Sequence, residues 1–401
     1  MKNFYEDLLA EIRDLKKSSL FREHLIAESK STVPWVHINN QKLLNLASNN
    51  YLGLADSEPL IVKSIKMLKK YGVSAASSRM VCGTLKLHVK VEKALAEFQK
   101  KESAMLFNTG YCANLGVIQA LTGRNDVIFS DKLNHASIVD GAVLSRAVLK
   151  RYKHCDMNHL EHLLKTTKTN GRKIIITDSV FSMDGDLALL KDIIHLKHKY
   201  GAVLMLDEAH AEGIFGENGR GLAEYFSVEE DVDIHLGTLG KAFGCFGAYI
   251  CGKKVLIDYL KNKCRSFIYT TSLPPAVLGS ILAAIEIIKG EEGKKLREGL
   301  RSKFNFMREK LKNLGFNILK SQSQIIPIVI PGNENVCRFS RDLFNSGVLS
   351  VAIRRPTVPN NSERIRISIM AAHNYKDLEF ALDKISAARN CITEDLTDRN
   401  S

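Results

Sequence analysis

The chain has 401 residues, 45% hydrophobic and 25% charged, which indicates a globular protein and excludes a disordered or fibrous one. A lysine-rich solvated surface, or an acidic or phosphate-bearing partner, explains the net charge of +13. No basic block is long enough to form a nucleic-acid interface. The eight cysteines form no C-x-x-C pair, and there is neither a signal peptide nor an apolar run of about 18 residues. We therefore expect a cytoplasmic protein with reduced thiols and no membrane partner.

The predicted elements divide the chain into three parts. Residues 1–45 form an N-terminal arm, whose apolar residues recur at helical spacing. Residues 46–288 form a large domain, because short apolar runs alternate there with longer segments of helical period. This alternation predicts a mostly parallel sheet covered by helices. Residues 289–401 follow a different order of helices and strands and are expected to form a smaller α+β domain. The predicted strands of the large domain contain the runs AMLF, DVIFS, KIIITD, AVLMLD, VDIHLG and GAYICG.

Three of these strands are followed by polar residues. In a parallel α/β sheet, the carboxyl ends of the strands converge on the ligand crevice. A single aspartate at such a position is more often a helix cap, but three polar strand ends together favour a binding site. The residues concerned are Asp178, Ser179, Asp207, His210, Thr238 and Lys241.

Lys241 lies in the glycine-rich stretch GTLGKAFGCFG, which contains no acidic residue. A surface turn would explain this pattern. Pyridoxal 5'-phosphate (PLP) chemistry would explain it too, since a lysine that forms a Schiff base is no longer an ammonium ion. Asp207 is then the acid that keeps the pyridine nitrogen protonated. Gly110 and Tyr111 open a helix after a strand, which suits either phosphate binding or an ordinary turn.

The residues resemble the α-oxoamine synthases, which are PLP enzymes of fold type I. The resemblance covers nearly the whole chain and implies a fold-type I PLP-dependent transferase, with a mostly parallel sheet in the large domain. These enzymes condense an amino acid with an acyl thioester and release carbon dioxide. The motifs that carry the resemblance are SNNYLGLA, NHASIVDG, DSVFSMDGD, DEAH, GENGRG, GTLGKAFG, TTSLPPA, PTVP and AAH.

The resemblance also implies a role for each site residue. Lys241, His135, Asp207 and His210 are the expected catalytic residues, with Lys241 as the Schiff-base lysine and His135 stacked on the cofactor ring. A homodimer is expected, because relatives donate the threonines at positions 270 and 271 across the subunit interface. The expected cofactor-binding residues are Gly110, Tyr111, His135, Ser179, Asp207, His210, Thr238, Lys241, Thr270 and Thr271. The expected substrate-binding residues are Arg22, Asn49, Ser78, Thr357 and Arg366, with Arg366 as the anchor of the amino-acid carboxylate.

The family contains branches that use different amino acids and acyl groups. The run VAIRRPTVP resembles the branch that condenses L-alanine with a pimeloyl thioester in biotin biosynthesis, carried on coenzyme A or on an acyl carrier protein. Ser78 stands where the aminolevulinate-forming branch has threonine, and its smaller side chain leaves room for alanine. Arg355 replaces a proline of the usual run. Glycine-using branches, which make 2-amino-3-ketobutyrate or 5-aminolevulinate, remain the alternative.

Other classes of protein receive less support. A non-catalytic partner subunit would have lost the lysine, whereas Lys241 is present. A dinucleotide-binding dehydrogenase would need a G-x-G-x-x-G run, which GIFGENGRG does not provide. A zinc site is conceivable, but the histidines and cysteine concerned lie in a polar helical segment and favour a solvated face. No metal is therefore expected; the residues considered are His154, Cys155, His159 and His162.

Overall fold

The computed structural model describes residues 3–398, with side chains as far as residue 389. Within this range the chain forms two compact units. Unit 1 contains the residues up to Asn49, the short segment Met183–Gly185, and the residues from Gly299 onward. Unit 2 contains Asn50–Ser182 and Asp186–Glu298. The boundaries at residues 45 and 288 that the sequence suggests remain predictions.

Unit 2 is built on a seven-stranded sheet, in the order β3-β9-β8-β7-β6-β4-β5. The strands from β8 to β5 pair in parallel, whereas β9 pairs antiparallel with both β8 and β3. Their central positions are buried on both faces, which explains the continuous apolar runs in the sequence. The strands of the chain are β1 Trp35–Ile38, β2 Gln41–Asn45, β3 Ser103–Phe107, β4 Val127–Asp131, β5 Val148–Tyr152, β6 Lys173–Asp178, β7 Val203–Asp207, β8 Ile234–Thr238, β9 Ala248–Gly252, β10 Ile325–Val329, β11 Val348–Leu349, β12 Val351–Ile353 and β13 Arg364–Ser368.

Helices connect the parallel strands and pack on the sheet. Helix α4 begins where Thr109 accepts a hydrogen bond from the backbone N–H of Cys112, and α11 begins at Pro275. A proline suits that position because the first N–H groups of a helix have no partner within the helix. The helices are α1 Phe4–Lys17, α2 Glu58–Tyr71, α3 Lys86–Phe98, α4 Gly110–Leu121, α5 Ala136–Ser145, α6 Met157–Thr166, α7 Leu190–Tyr200, α8 Leu222–Tyr225, α9 Lys254–Lys263, α10 Arg265–Ile268, α11 Pro275–Lys289, α12 Glu291–Asn313, α13 Asn333–Asn345 and α14 Tyr375–Asp398.

Unit 1 contains two three-stranded sheets, in the orders β1-β2-β11 and β10-β13-β12. In the second sheet β13 is central, and Arg366 on this strand pairs in register with Pro327 of β10. The arm contributes helix α1, whose apolar residues are all exposed in the single chain. The predicted amphipathic helix therefore forms, and its apolar side is exposed in the single chain and available for packing on another surface.

The α/β class with a mostly parallel sheet is confirmed, and each of the six predicted strand runs of the large domain lies in a strand. Strand β5 was not expected, because its sequence VLKRY mixes apolar and basic residues and only Tyr152 is fully buried. Among the described residues, no helix combines the length and the apolar character needed to cross a bilayer.

Candidate active site

Two aspartates meet at the carboxyl edge of the parallel sheet. The register of β6 and β7 pairs Asp178 with Asp207, and both are buried. Asp207 is held through both carboxylate oxygens. Its Oδ2 accepts a hydrogen bond from Asn114 Nδ2 at 2.8 Å, and its Oδ1 accepts one from the backbone N–H of Ala209 at 2.9 Å. N–H donors on both oxygens suit an ionised carboxylate.

The environment of Asp178 disfavours its ionised form. Burial, followed by the nearby carboxylate of Asp207, raises the pKa of Asp178 well above its usual range. Its Oδ2 accepts a hydrogen bond from the backbone N–H of His135 at 2.9 Å. Asp178 therefore fixes the backbone at the start of α5.

His135 caps helix α5 with its side chain. Its Nδ1 lies 2.7 Å from Ser137 Oγ, which in turn accepts a hydrogen bond from Asn114 at 3.0 Å. Burial lowers the pKa of His135, while Asp207 acts in the opposite direction. The imidazole is thus held neutral at neutral pH, which suits a ring that stacks on an aromatic cofactor.

Lys241 lies in the loop after β8, and its Nζ is 3.0 Å from His210 Nε2. The glycines allow this loop to pack closely. Gly244 has a positive φ of 64°, and a Cβ at this position would lie 2.3 Å from the backbone nitrogen of Ala55. A side chain there would displace the loop that carries the lysine.

The start of α4 offers backbone donors that suit an anion. Backbone N–H groups of the first helical turn lack partners within the helix and favour an anion. Gly110 lies against Thr238, since a Cβ on Gly110 would be 2.8 Å from Thr238 Cγ2. Tyr111 donates its hydroxyl to Asp140, and its ring meets the edge of His135 at a centroid distance of 6.4 Å.

The remaining predicted residues of unit 2 lie at two places. Ser179 is fully buried, and its hydroxyl donates to the backbone oxygen of Asp207 at 3.0 Å. Thr270 Oγ1 accepts a hydrogen bond from Asn108 Nδ2 at 3.1 Å. Thr271 forms a β-bridge with Ser78, so the two segments that contain these residues are held together.

The predicted residues of unit 1 differ in exposure. Arg366 is buried, with its guanidinium donating to Ser368 Oγ at 2.9 Å and to Asn49 Oδ1 at 3.1 Å. Arg22 and Thr357 are exposed. The roles of these residues remain predictions.

Sequence reasoning missed two residues that support the site. Asn114 and Ser137 link Asp207 to His135. Asp178 is among the strand-end residues that the sequence predicts, and the structure adds its contact with the backbone of His135. Asn114 lies four positions after Gly110, on a helix that is otherwise mostly apolar. An asparagine in a mostly apolar helix is a signal in the sequence, but it does not show that the side chain points inward.

Comparisons with known proteins agree with this geometry. Residues 41–385 match the family model described as aminotransferase class I and II. A Bacillus cereus (strain Q1) protein named "Putative 8-amino-7-oxononanoate synthase" is 48% identical over 379 residues, covering 94% of this chain and 95% of the relative. A Bacillus anthracis protein of the same name is 47% identical over 384 residues, with the same coverage.

Two solved structures show the same fold. A serine palmitoyltransferase from S. paucimobilis, solved with PLP and myriocin, has a TM-score of 0.92 at 30% identity and covers 97% of this chain and 98% of its own. An 8-amino-7-oxononanoate synthase from Francisella tularensis has a TM-score of 0.76 at 28% identity, and the match covers 88% of this chain and 99% of the synthase chain.

The chain belongs to the aminotransferase class I and II family of PLP-dependent transferases. Within this family it is an α-oxoamine synthase, and its cofactor is PLP. The non-catalytic interpretation is therefore not retained. The site fits the cofactor, because Asp207 offers a buried carboxylate, Lys241 an amine and α4 an anion-binding helix start.

The residues considered for zinc do not share one environment. His162 is exposed, and His159 Nδ1 accepts a hydrogen bond from the backbone N–H of Lys153. His154 is not on a solvated face as the sequence suggested, since it lies between two carboxylates. Its Nδ1 is 3.0 Å from Asp131 and its Nε2 is 2.7 Å from Asp186.

The charge of His154 follows from these contacts. Burial acts to lower its pKa, but hydrogen bonds to Asp131 and Asp186 outweigh burial and raise the pKa to about 12. The two carboxylates thus make His154 the centre of an ion-pair group in this structure. Asp131 also accepts hydrogen bonds from the backbone N–H groups of Leu133 and Cys155, which anchors the turn after β4.

The ion pairs of His154 should make stability depend on pH. His154→Asn leaves two carboxylates without their cation and should lower the free energy of unfolding at pH 6 by about 2 to 4 kcal/mol. Because the folded-state pKa is raised, the wild-type advantage is complete below about pH 6.5 and declines as pH rises toward 12. Urea unfolding at pH 6 and pH 10 should therefore show a smaller difference at pH 10.

The matched control is His162→Asn, at an exposed position of α6, which should change stability little at either pH. A difference between wild type and His154→Asn that stays constant or grows with pH would contradict the ion-pair assignment.

Proposed function

We propose that this α-oxoamine synthase condenses L-alanine with a pimeloyl thioester to give 8-amino-7-oxononanoate, carbon dioxide and the free thiol, a reaction of biotin biosynthesis. The observation that carries the choice of substrate is the 48% identity, over nearly the full length of both chains, to a relative named for this reaction. The cytoplasm is the proposed location.

The catalytic roles proposed for the chain follow from the contacts of unit 2. When bound, PLP withdraws electrons from the substrate carbon that loses its proton. Lys241 Nζ takes that proton and returns one to the product, with His210 Nε2 beside it. Asp207, whose carboxylate is oriented by Asn114 and the backbone of Ala209, would keep the pyridine nitrogen protonated. His135 would stack on the ring and offer a proton to the thioester oxygen.

Further roles are proposed for binding. Gly110, Tyr111 and Thr238 hold the phosphate, with Thr270 and Thr271 supplied by a second subunit. Ser179 supports Asp207 through its backbone oxygen. Arg366 is proposed to bind the substrate carboxylate, together with Asn49, because a buried guanidinium with oriented donors is suited to a carboxylate. The exposed Arg22 and Thr357 are proposed to contact the acyl substrate.

Two alternatives concern the amino acid. The high TM-score to a serine palmitoyltransferase favours serine with a long-chain acyl thioester. Glycine with a short acyl thioester is the other. The half-buried Ser78 supports alanine, because a methyl group added at this position would crowd the substituent of the amino acid.

The homodimer is supported by exposed apolar side chains next to the bridge between Ser78 and Thr271. Val73 and Val81 are 79% and 80% exposed, and Tyr269 is 72% exposed. These residues are in the two segments that the bridge joins. Large apolar side chains concentrated in one region indicate a protein–protein interface.

The Lys241 assignment predicts a loss of both colour and turnover. Lys241→Ala should lower kcat by at least about a thousandfold, since the variant lacks the proton-transferring amine. Its PLP-loaded form should also lack the visible absorbance of the lysine linkage. Lys253→Ala, at an exposed position, is the control and should keep both properties. An alanine variant of Lys241 that stays yellow and active would reject the assignment.

The substrate proposal predicts a ranking of kcat/KM. Alanine, glycine and serine are each tested with pimeloyl, acetyl, succinyl and palmitoyl thioesters on coenzyme A, and with pimeloyl on acyl carrier protein. Alanine with a pimeloyl thioester should give the highest value. Ser78→Thr should reduce kcat/KM for alanine by roughly tenfold to a hundredfold more than for glycine. A higher value for glycine or serine would overturn the substrate choice and leave the reaction class intact.

The homodimer proposal predicts the effect of a charge on the exposed apolar region. Val81→Glu should convert a dimer into monomers in light scattering and weaken PLP binding, because the charge would be buried at the interface. Val255→Glu is the matched control. Val255 is 74% exposed and follows β9, which pairs antiparallel with β8, so Val255 and Lys241 lie beyond opposite ends of these two strands. A monomeric wild type, or a Val81→Glu dimer with full PLP binding, would contradict the proposal.

A further inference from the structure

A fully buried tyrosine lies directly behind the histidine that contacts Lys241. Tyr51 has no exposed surface, and its hydroxyl is 2.8 Å from His210 Nδ1. The other ring nitrogen, Nε2, is 3.0 Å from Lys241 Nζ. Three polar side chains from distant parts of the sequence thus form one hydrogen-bonded row in unit 2.

The backbone around Tyr51 holds its side chain in place. The backbone N–H of Gly53 donates to the oxygen of Asn50 at 2.9 Å, and that of Ala55 donates to Asn50 Oδ1 at 3.2 Å. The same segment packs against the Lys241 loop at Gly244. Tyr51 and Lys241 are therefore fixed on either side of His210 by one packed region.

The chemistry of this row depends on the direction of the tyrosine hydroxyl. A neutral imidazole carries one N–H, so one ring nitrogen donates and the other accepts. An ammonium at Lys241 donates to Nε2, which leaves Nδ1–H to donate to the Tyr51 oxygen. If Nε2 must instead donate, the Tyr51 hydroxyl turns and donates to Nδ1. A phenol can do both, because its oxygen donates and accepts.

We propose that Tyr51 is a positioning residue that sets the tautomer of His210, so that Nε2 accepts from Lys241 in the free protein and donates once the cofactor is bound. The inference rests on the proposed role of Lys241. It assigns a role to a residue for which the sequence predicts none, and it concerns the protons of the chain's own side chains rather than the identity of the substrate.

Other titratable groups lie in the same region, and their effects must be distinguished from the effect of Tyr51. Lys241 interacts electrostatically with His135 and with Asp178 of β6. Asp207 of β7 and Asp140 of α5 interact electrostatically with His135. The Tyr51 hydroxyl contacts His210 Nδ1 directly, so an effect of removing the hydroxyl that passes through this contact should disappear when His210 is replaced.

The first experiment is an absorbance titration of the PLP-loaded Tyr51→Phe variant against pH. Without the hydroxyl, Nε2–H is a weaker donor to the cofactor oxygen, and the proton stays more firmly on the linked lysine nitrogen. The midpoint of the visible absorbance change should rise by about half a pH unit or more. In a His210→Asn background, Tyr51→Phe should cause no further shift.

Tyr249→Phe is the matched control. Tyr249 is equally buried in unit 2, and its hydroxyl accepts a hydrogen bond from Gln99 at 2.8 Å. It should leave the midpoint unchanged. An unchanged midpoint in Tyr51→Phe, or the same shift with and without His210, would overturn the inference. If Lys241→Ala loses its colour as expected while Tyr51→Phe shows no shift, the inference about Tyr51 fails by itself.

A second measurement does not depend on whether a Tyr51 variant folds, because it uses the wild-type protein. The ¹⁵N chemical shifts of the His210 ring are recorded in wild-type protein with and without PLP, assigned by their loss in His210→Asn. We expect the Nδ1–H tautomer without PLP and the Nε2–H tautomer with it. The same tautomer in both states would overturn the proposed switch.

Discussion

The site depends on placing one negative charge at the buried carboxyl edge of a parallel sheet. Strand register puts Asp178 and Asp207 side by side, and two ionised carboxylates there would repel each other at close range. The surroundings of the two side chains differ. Burial and the neighbouring carboxylate raise the pKa of Asp178, while Asp207 accepts hydrogen bonds from N–H donors on both oxygens. Of the two, Asp207 is therefore the better suited to face a cationic ring as a carboxylate.

The residues that hold Asp207 also orient His135. Asn114 holds the carboxylate and also contacts Ser137, whose hydroxyl lies beside His135 Nδ1. The orientation of His135 is therefore coupled to the residue that fixes Asp207. The side chains that form these hydrogen bonds are buried or half-buried, so the hydrogen bonds are shielded from water.

The sequence allows prediction of the strands and of their polar ends, because both follow from local patterns. Asp178, Asp207 and Thr238 each end a predicted strand, and a parallel sheet must bring such ends to one edge. The contact between Tyr51 and His210 could not be predicted in this way. The two residues are separated by 159 positions, and only tertiary packing decides that they meet.

Asn114 illustrates a second limit on prediction. Its helix has a weakly amphipathic sequence, so nothing in the pattern shows which polar side chain points inward. Strand β5 shows a third, because VLKRY has the composition of an exposed segment and becomes a strand by pairing with β4. In both cases the deciding term is packing rather than local preference.

Buried and exposed positions of the candidate site differ in how freely they can change. Asp207 and His210 are buried, where a change disturbs many contacts at once, whereas Thr357 and Arg355 are exposed. Substitutions at exposed positions cost little stability. Relatives at 48% and 30% identity match nearly the whole chain, although their names refer to different products or substrates. The buried positions are therefore the ones that relatives with different substrates can least easily change.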